Sequence, residues 1–95
     1  MADDTIQASV GMFAHGTKNC FNLPDDVATI ITLLNSTADL DGGRKSSPLP
    51  PFASPRDLQR AILNFQQTQN DSGRTPRLSV DGHVDPGEAT LARLN

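Results

Sequence analysis

Hydrophobic positions repeat with a helical period in the first half of the chain. Apolar residues there follow the i, i+3, i+4, i+7 spacing of a helix with one buried face: Val27, Ile30, Ile31 and Leu34. Pro24 suits the first turn of such a helix, because its missing N–H would have no partner there. Asp25 and Asp26 then lie at the positive end of the helix dipole, which favours acids. The pattern predicts a first helix over residues 24–35.

The same spacing returns after a clear helix-start signal in the second half. Ser54 supplies an N-cap hydroxyl, Pro55 takes the first helical position, and Asp57 completes a variant of the capping box. The predicted buried face follows: Leu58, Ala61, Ile62 and Phe65. We expect this second helix to end near Gln69, before a short Asn-Asp-Ser-Gly run.

A third, shorter helix is predicted at the end of the chain. Asp85 is the expected cap, Pro86 the first helical residue, and Glu88 the acid three residues after the cap. Leu91 and Leu94 are expected to point inward.

Extended and irregular segments join these helices. Residues 6–13 and 78–80 are predicted to be extended, and the second of these runs into the turn pair Asp81–Gly82. Residues 36–53 contain two adjacent glycines and three prolines, which favours a long loop of functional or mobile character. The sequence therefore predicts a mainly α fold: a compact three-helix bundle with short extended segments and a long loop rich in proline and glycine.

Composition and charge narrow the classes of protein that fit. A chain of 95 residues with 36% hydrophobic residues, no Trp and no Tyr can build one small core from aliphatic side chains and four Phe. The net charge of -3 and a pI near 5.0 argue against nucleic acid and against an anionic membrane surface as partners. The acidic start lacks the apolar run of a signal peptide. We expect synthesis in the cytoplasm and, for a target outside it, a leaderless secretion route to the periplasm or cell wall.

Candidate chemistry is sparse, and it is concentrated at one turn. His15, Cys20 and His83 lack the spacing of a zinc site, so neither a metal nor a cofactor is predicted. No pair of residues forms a recognisable catalytic signature, and the chain is expected to be non-enzymatic. The most polar short segment is 81–85. It fits a turn beside a helix cap, or one wall of a shallow polar groove that includes Gln66.

Side chains around this segment leave further alternatives open. The glutamines near the end of the second helix fit either solvated helix formers or hydrogen-bonding groups for a peptide: Gln66, Gln67 and Gln69. Phe65 is expected in the core. Phe52, in a loop bordered by prolines, either folds back onto the helices as a lid or offers a surface to a partner.

Three elements in series carry a family resemblance. A helix that ends in Phe65–Gln66 is followed by a Val-Asp-Gly-His-Val turn over 80–84, and then by Thr-Leu-Ala-Arg-Leu over 90–94. This order resembles the peptidoglycan-binding domain family, and residues 26–35 resemble its opening helix, except that Ile31 stands where the family usually has Gln. Residues 10–24 resemble the lead-in of such modules in leaderless type VI secretion effectors. The chain is thus divided into a lead-in, 1–21, and a three-helix domain, 22–95.

The resemblance implies a non-catalytic module that binds peptidoglycan or muropeptide and targets an antibacterial effector or a lysin, with any catalysis in a fused domain. We expect a monomer. The candidate ligand-binding residues are those of the polar groove: Gln66, Asp81, Gly82, His83 and Asp85. A protein–protein adaptor that docks an effector onto a secretion spike is the alternative. Ile31 and the lack of Trp and Tyr favour the adaptor, whereas the Phe-Gln and Asp-Gly elements favour wall binding.

Overall fold

Three α-helices make up most of the ordered structure in a computed structural model, which describes residues 5–11, 21–74 and 77–95. The elements follow in chain order: β1 (Val10–Gly11), α1 (Pro24–Ser36), a 3-10 turn (Asp39–Asp41), α2 (Pro55–Asp71), β2 (His83–Val84) and α3 (Ala89–Leu94). The predicted class, a small mainly α fold with three helices, is confirmed.

The longest helix, α2, forms the centre of the fold. Its predicted cap is present, since the Asp57 N–H donates to the Ser54 hydroxyl oxygen at 3.2 Å. Every residue of its predicted apolar face is buried: Leu58, Ala61, Ile62 and Phe65. The helix runs two residues past the predicted end, and its last turns also bury polar side chains: Gln66, Gln69 and Asn70. Of the three glutamines predicted near the helix end, only Gln67 is exposed. The three side chains therefore do not form one solvated surface.

The first helix, α1, packs its predicted face into the same core through Ile30, Ile31 and Leu34. Ile31 is 5% exposed, so the position at which the resemblance expects Gln is a core position here. Asp26 is also buried, although an acid in the first turn would ordinarily face solvent. Its two carboxylate oxygens accept hydrogen bonds from the Gln7 and Ala8 N–H groups, each at 3.0 Å.

The long loop after α1 is held by side-chain hydrogen bonds to its backbone. Asn35 accepts from the Leu49 N–H at 2.8 Å and donates to the Leu49 carbonyl oxygen at 3.1 Å. Gly42 lies against α2 with a φ of 90°, and a Cβ there would be 2.8 Å from the Phe65 Cα. Phe52 does not fold back as a lid: it is 86% exposed.

The first residues of the described chain belong to the core. Ile6 and Val10 are buried, and β1 pairs antiparallel with β2 in the register Val10 to Val84 and Gly11 to His83. The predicted extended segment 6–13 is thus a strand only at Val10–Gly11, and Phe13 lies outside the described residues. The predicted extended piece 78–80 forms no strand, although Leu78 is buried.

The predicted start of the third helix is wrong. Asp85 does not cap α3, which begins at Ala89 with Glu88 in the cap position. The Glu88 N–H instead donates to the Asp85 carbonyl oxygen at 3.3 Å, and Gly87 between them has a φ of 72°. Pro followed by a residue of positive φ is the signature of a type II turn. Pro86 therefore begins a turn instead of a helix.

None of the helices in the described residues is long and apolar enough to cross a membrane.

Candidate functional site

The predicted site residues meet where the end of α2 faces the turn before β2. Gln66, the inner member of the group, is fully buried. Its amide oxygen accepts hydrogen bonds from the N–H groups of Asp81 and Gly82, each at 3.1 Å. Its amide nitrogen lies 2.8 Å from Asp81 Oδ1, 3.2 Å from Thr90 Oγ1 and 3.3 Å from the His83 carbonyl oxygen. One side chain therefore joins α2, the turn, β2 and α3.

Two glycines, one in the turn and one in β1, allow the backbones to come together here. Gly82 is buried and has a φ of 77°, which side-chain-bearing residues rarely adopt. Gly11 of β1 pairs with the next residue, His83, and a Cβ on Gly11 would be 2.5 Å from the Gly82 carbonyl oxygen. The backbones of β1 and the turn thus approach too closely for a side chain to lie between them.

His83 lies between two carboxylates. Its Nε2 is 3.2 Å from Asp85 Oδ2, and its Nδ1 is 3.3 Å from the Asp81 carbonyl oxygen and 3.6 Å from Asp81 Oδ1. The imidazole is nearly buried, whereas both carboxylates are about one-third exposed. Asp85 Oδ1 accepts a hydrogen bond from the Ser9 hydroxyl at 2.5 Å. The two carboxylates are therefore held at fixed positions and still reach solvent.

A shallow polar hollow of about 60 Å³ opens over this arrangement. Its walls are mainly polar: Ser79, Asp81, His83, Asp85, Glu88, Ala89 and Thr90. A volume this small admits one functional group of a ligand, since pockets that enclose whole small molecules measure about 300–1,000 Å³. Its described walls carry three carboxylates and no lysine or arginine, so it offers mainly hydrogen-bond acceptors and negative charge.

The structure thus brings all five predicted site residues together, but in two layers. Asp81 and Asp85 form the accessible edge, with His83 beside them. Gln66 and Gly82 lie behind that edge and hold the turn, with the polar atoms of Gln66 engaged inside the protein. The sequence-based reasoning missed Ser79, Glu88 and Ser9. Spacing gives no signal for Ser9, because it lies 76 residues from its partner Asp85.

His15 and Cys20, the other two residues considered as metal ligands from the sequence, lie outside the described residues. Within the part of the chain that the structure describes, no three His, Cys, Asp or Glu side chains group in a way that could hold a metal ion.

Two further surface features are more apolar than the polar hollow. A more apolar hollow of about 270 Å³ lies at the start of α1, bounded by Gln7, Leu23, Pro24, Asp25 and Asp26. Large apolar side chains also face solvent: Phe21 is 78% exposed, and Leu40 is 89% exposed.

Comparison with protein-family models, with curated proteins and with solved structures finds no match to this chain. The fold and the site alone define the class of protein. It is a small, mainly α domain with a shallow acidic hollow, which lies at a turn that the Gln66 side chain holds by hydrogen bonds.

Proposed function

We propose that this domain is a non-catalytic module that binds bacterial peptidoglycan, with the polar hollow contacting the peptide stem of the cell wall. The observation that carries the proposal is the convergence of the Phe-Gln, Asp-Gly and Thr-Leu elements. The buried Gln66 side chain is hydrogen-bonded to Asp81 and Thr90, and those two residues line one solvent-accessible hollow. These are the elements on which the family resemblance depends.

The chemistry of the hollow suits a peptide better than a sugar ring. Amide N–H and ammonium groups of a peptide stem are donors, and the hollow presents acceptors from Asp81, Asp85 and Glu88. Stacking on a sugar ring usually uses Trp or Tyr, which the chain lacks. Binding of this kind needs shape and hydrogen bonds only, with no covalent step and no cofactor.

The test is co-sedimentation of the purified domain with insoluble peptidoglycan sacculi. Glu88→Gln is the informative variant, because Glu88 lines the hollow and is exposed. Asp57→Asn is the matched control. It removes the same charge from an exposed residue nine positions before Gln66, which is about 13 Å along α2.

We expect the wild type and Asp57→Asn to sediment alike, and Glu88→Gln to bind about tenfold more weakly, as loss of a charge-assisted hydrogen bond predicts. A wild-type domain that stays in the supernatant would refute the proposal. Equal weakening by both substitutions would indicate a general charge effect, and the hollow would lose its role.

One observation favours the adaptor alternative. Phe52 and Leu40 in the long loop are 86% and 89% exposed, and each offers a partner protein a large apolar side chain to bury. Under this alternative, Phe52→Ser would abolish co-purification with a secretion spike protein. It would leave sedimentation with sacculi unchanged.

A further inference from the structure

The segment that precedes the helices is tied to the main body from several sides. The Asp26 carboxylate in α1 accepts from the Gln7 and Ala8 N–H groups, each at 3.0 Å. The Asn22 N–H donates to the Ser9 carbonyl oxygen at 3.1 Å. Val10 is fully buried and pairs with Val84 of β2. Residues 5–11, the N-terminal segment, are therefore held by α1 on one side and by β2 on the other.

This segment reaches the polar hollow through one side chain. The Ser9 hydroxyl donates to Asp85 Oδ1 at 2.5 Å, while the other oxygen of that carboxylate, Oδ2, lies 3.2 Å from His83 Nε2. Each oxygen of Asp85 thus has its own partner, and the two partners come from opposite ends of the chain. A carboxylate held at both oxygens keeps one orientation, whereas a carboxylate held at one oxygen can turn about its last bond.

The backbone of the same segment supports the turn from behind. A Cβ at Gly11 would be 2.5 Å from the Gly82 carbonyl oxygen and 3.2 Å from the His83 Cα. Movement of β1 would therefore be transmitted to the turn by direct contact, because no side chain separates the two backbones.

From these contacts we propose that Ser9 is a positioning residue of the polar hollow, and that ligand binding there is coupled to docking of the N-terminal segment. The inference rests on the proposed function, since it assigns a regulation to the same site. Ser9 acts through Asp85: its hydroxyl holds the carboxylate in the orientation that faces the ligand. Coupling between sites is reciprocal, so a bound ligand must in turn hold the segment against the turn.

Three serine variants of the full chain test the coupling. Ser9→Ala removes the hydroxyl, and Ser9→Thr keeps it. Ser47→Ala is the control, because it removes a hydroxyl from an exposed residue of the long loop. The first readout is the NMR signal of the His83 ring nitrogens in the free protein, assigned with a His83→Gln sample. The second is co-sedimentation with sacculi.

A third readout is hydrogen exchange of the Val10 and Gly11 amides, with and without soluble muropeptides released from those sacculi. We expect Ser9→Ala to shift the His83 ring signals and to weaken sedimentation about tenfold, the size expected for loss of a hydrogen bond to a charged group. Ser9→Thr restores both, and muropeptides slow exchange of the two amides in the wild type. Unchanged exchange within α2 shows that the variants remain folded.

His83 ring signals that are the same in Ser9→Ala and the wild type would overturn the inference, as would undiminished sedimentation of Ser9→Ala. A wild type that does not sediment at all refutes the proposed function, and the ring signals then decide the positioning role alone. A shift in Ser9→Ala that Ser9→Thr reverses supports that role. An absent shift, or one that Ser47→Ala reproduces, overturns it.

Discussion

Replacing Gln66 with alanine removes the amide that connects α2 to the turn, to β2 and to α3. The wild-type side chain is fully buried. With the surrounding packing unchanged, water therefore cannot reach the buried groups that the amide leaves behind. Gly82 loses the acceptor of its N–H, Thr90 loses a partner of its hydroxyl, and Asp81 loses partners at both its backbone and its carboxylate. The Gly82 N–H and the Thr90 hydroxyl belong to buried residues, whereas the Asp81 side chain reaches solvent.

The expected loss of stability follows from which groups water can reach. Asp81 is rehydrated at little cost. The buried Gly82 N–H left without an acceptor costs about 1–3 kcal/mol. Loss of the hydroxyl contact and of the packing of a buried side chain adds about 1–2 kcal/mol. Gln66→Ala should therefore lower the free energy of unfolding by about 2–5 kcal/mol. A 95-residue domain has about 5–14 kcal/mol in total.

The assay is urea unfolding followed by far-UV circular dichroism, which suits a mainly α protein without tryptophan. Gln67→Ala is the matched control. It makes the same chemical change one residue later in α2, where the side chain is exposed and bonded only to Asp71 among its described contacts. We expect it to change stability by about 0.5 kcal/mol or less. Equal effects of the two substitutions, or a loss below about 1 kcal/mol for Gln66→Ala, would refute the structural role of Gln66.

Three further outcomes test the packing around α2. Asn70→Ala should cost about 2–3 kcal/mol in urea unfolding and speed hydrogen exchange at Leu78, because its buried amide bonds both backbone groups of that residue at 2.8 Å. Gly42→Ala should lower the free energy of unfolding by about 2 kcal/mol or more, because a φ of 90° disfavours a residue with a Cβ and that Cβ would also contact Phe65. An unchanged melting temperature would contradict this expectation. Arg74→Ala should cost less than about 1 kcal/mol at any salt concentration, because its ion pair is exposed, and a larger loss in a thermal melt would contradict that assignment.

The structural role of Gln66 also determines how the proposed wall binding is best tested. A substitution that destabilises the turn weakens any site built on it, whether or not the side chain contacts the ligand. Glu88 and Ser79 are exposed members of the hollow, so changes there report on the ligand more directly.

Local signals predicted the helices because the interactions that start and bury a helix are close in sequence. The cap of α2 and its apolar face occupy residues 54–65, and both are present as predicted. The start of α3 shows where such signals fail. Asp85-Pro86-Gly87-Glu88 fits a helix start and a type II turn equally well by residue type. In the folded protein the Asp85 side chain contacts Ser9 and His83. Neither residue is among the four, so the four-residue pattern alone does not distinguish the turn from the helix start.

The five predicted site residues are close together, yet the role of each depended on long-range contacts. Sequence reasoning left Gln66 as either a solvated helix former or a hydrogen-bonding group for a peptide, and both alternatives require an accessible amide. The donors that make its burial favourable, the N–H groups of Asp81 and Gly82, lie 15 and 16 residues later. A buried amide is stable only with all its partners in place, so its burial was not predictable from the helix alone.

The sequence by itself determined the mainly α class, the positions of α1 and α2 and most of the core, since apolar periodicity and capping act within a few residues. Only the tertiary structure decided that the N-terminal segment belongs to the core, that the Gln66 amide is buried, and that Asp85 faces Ser9. Those outcomes depend on hydrogen bonds and packing between residues up to 76 positions apart. Such contacts form only when the whole chain is folded, because each is favourable only after the others have excluded water.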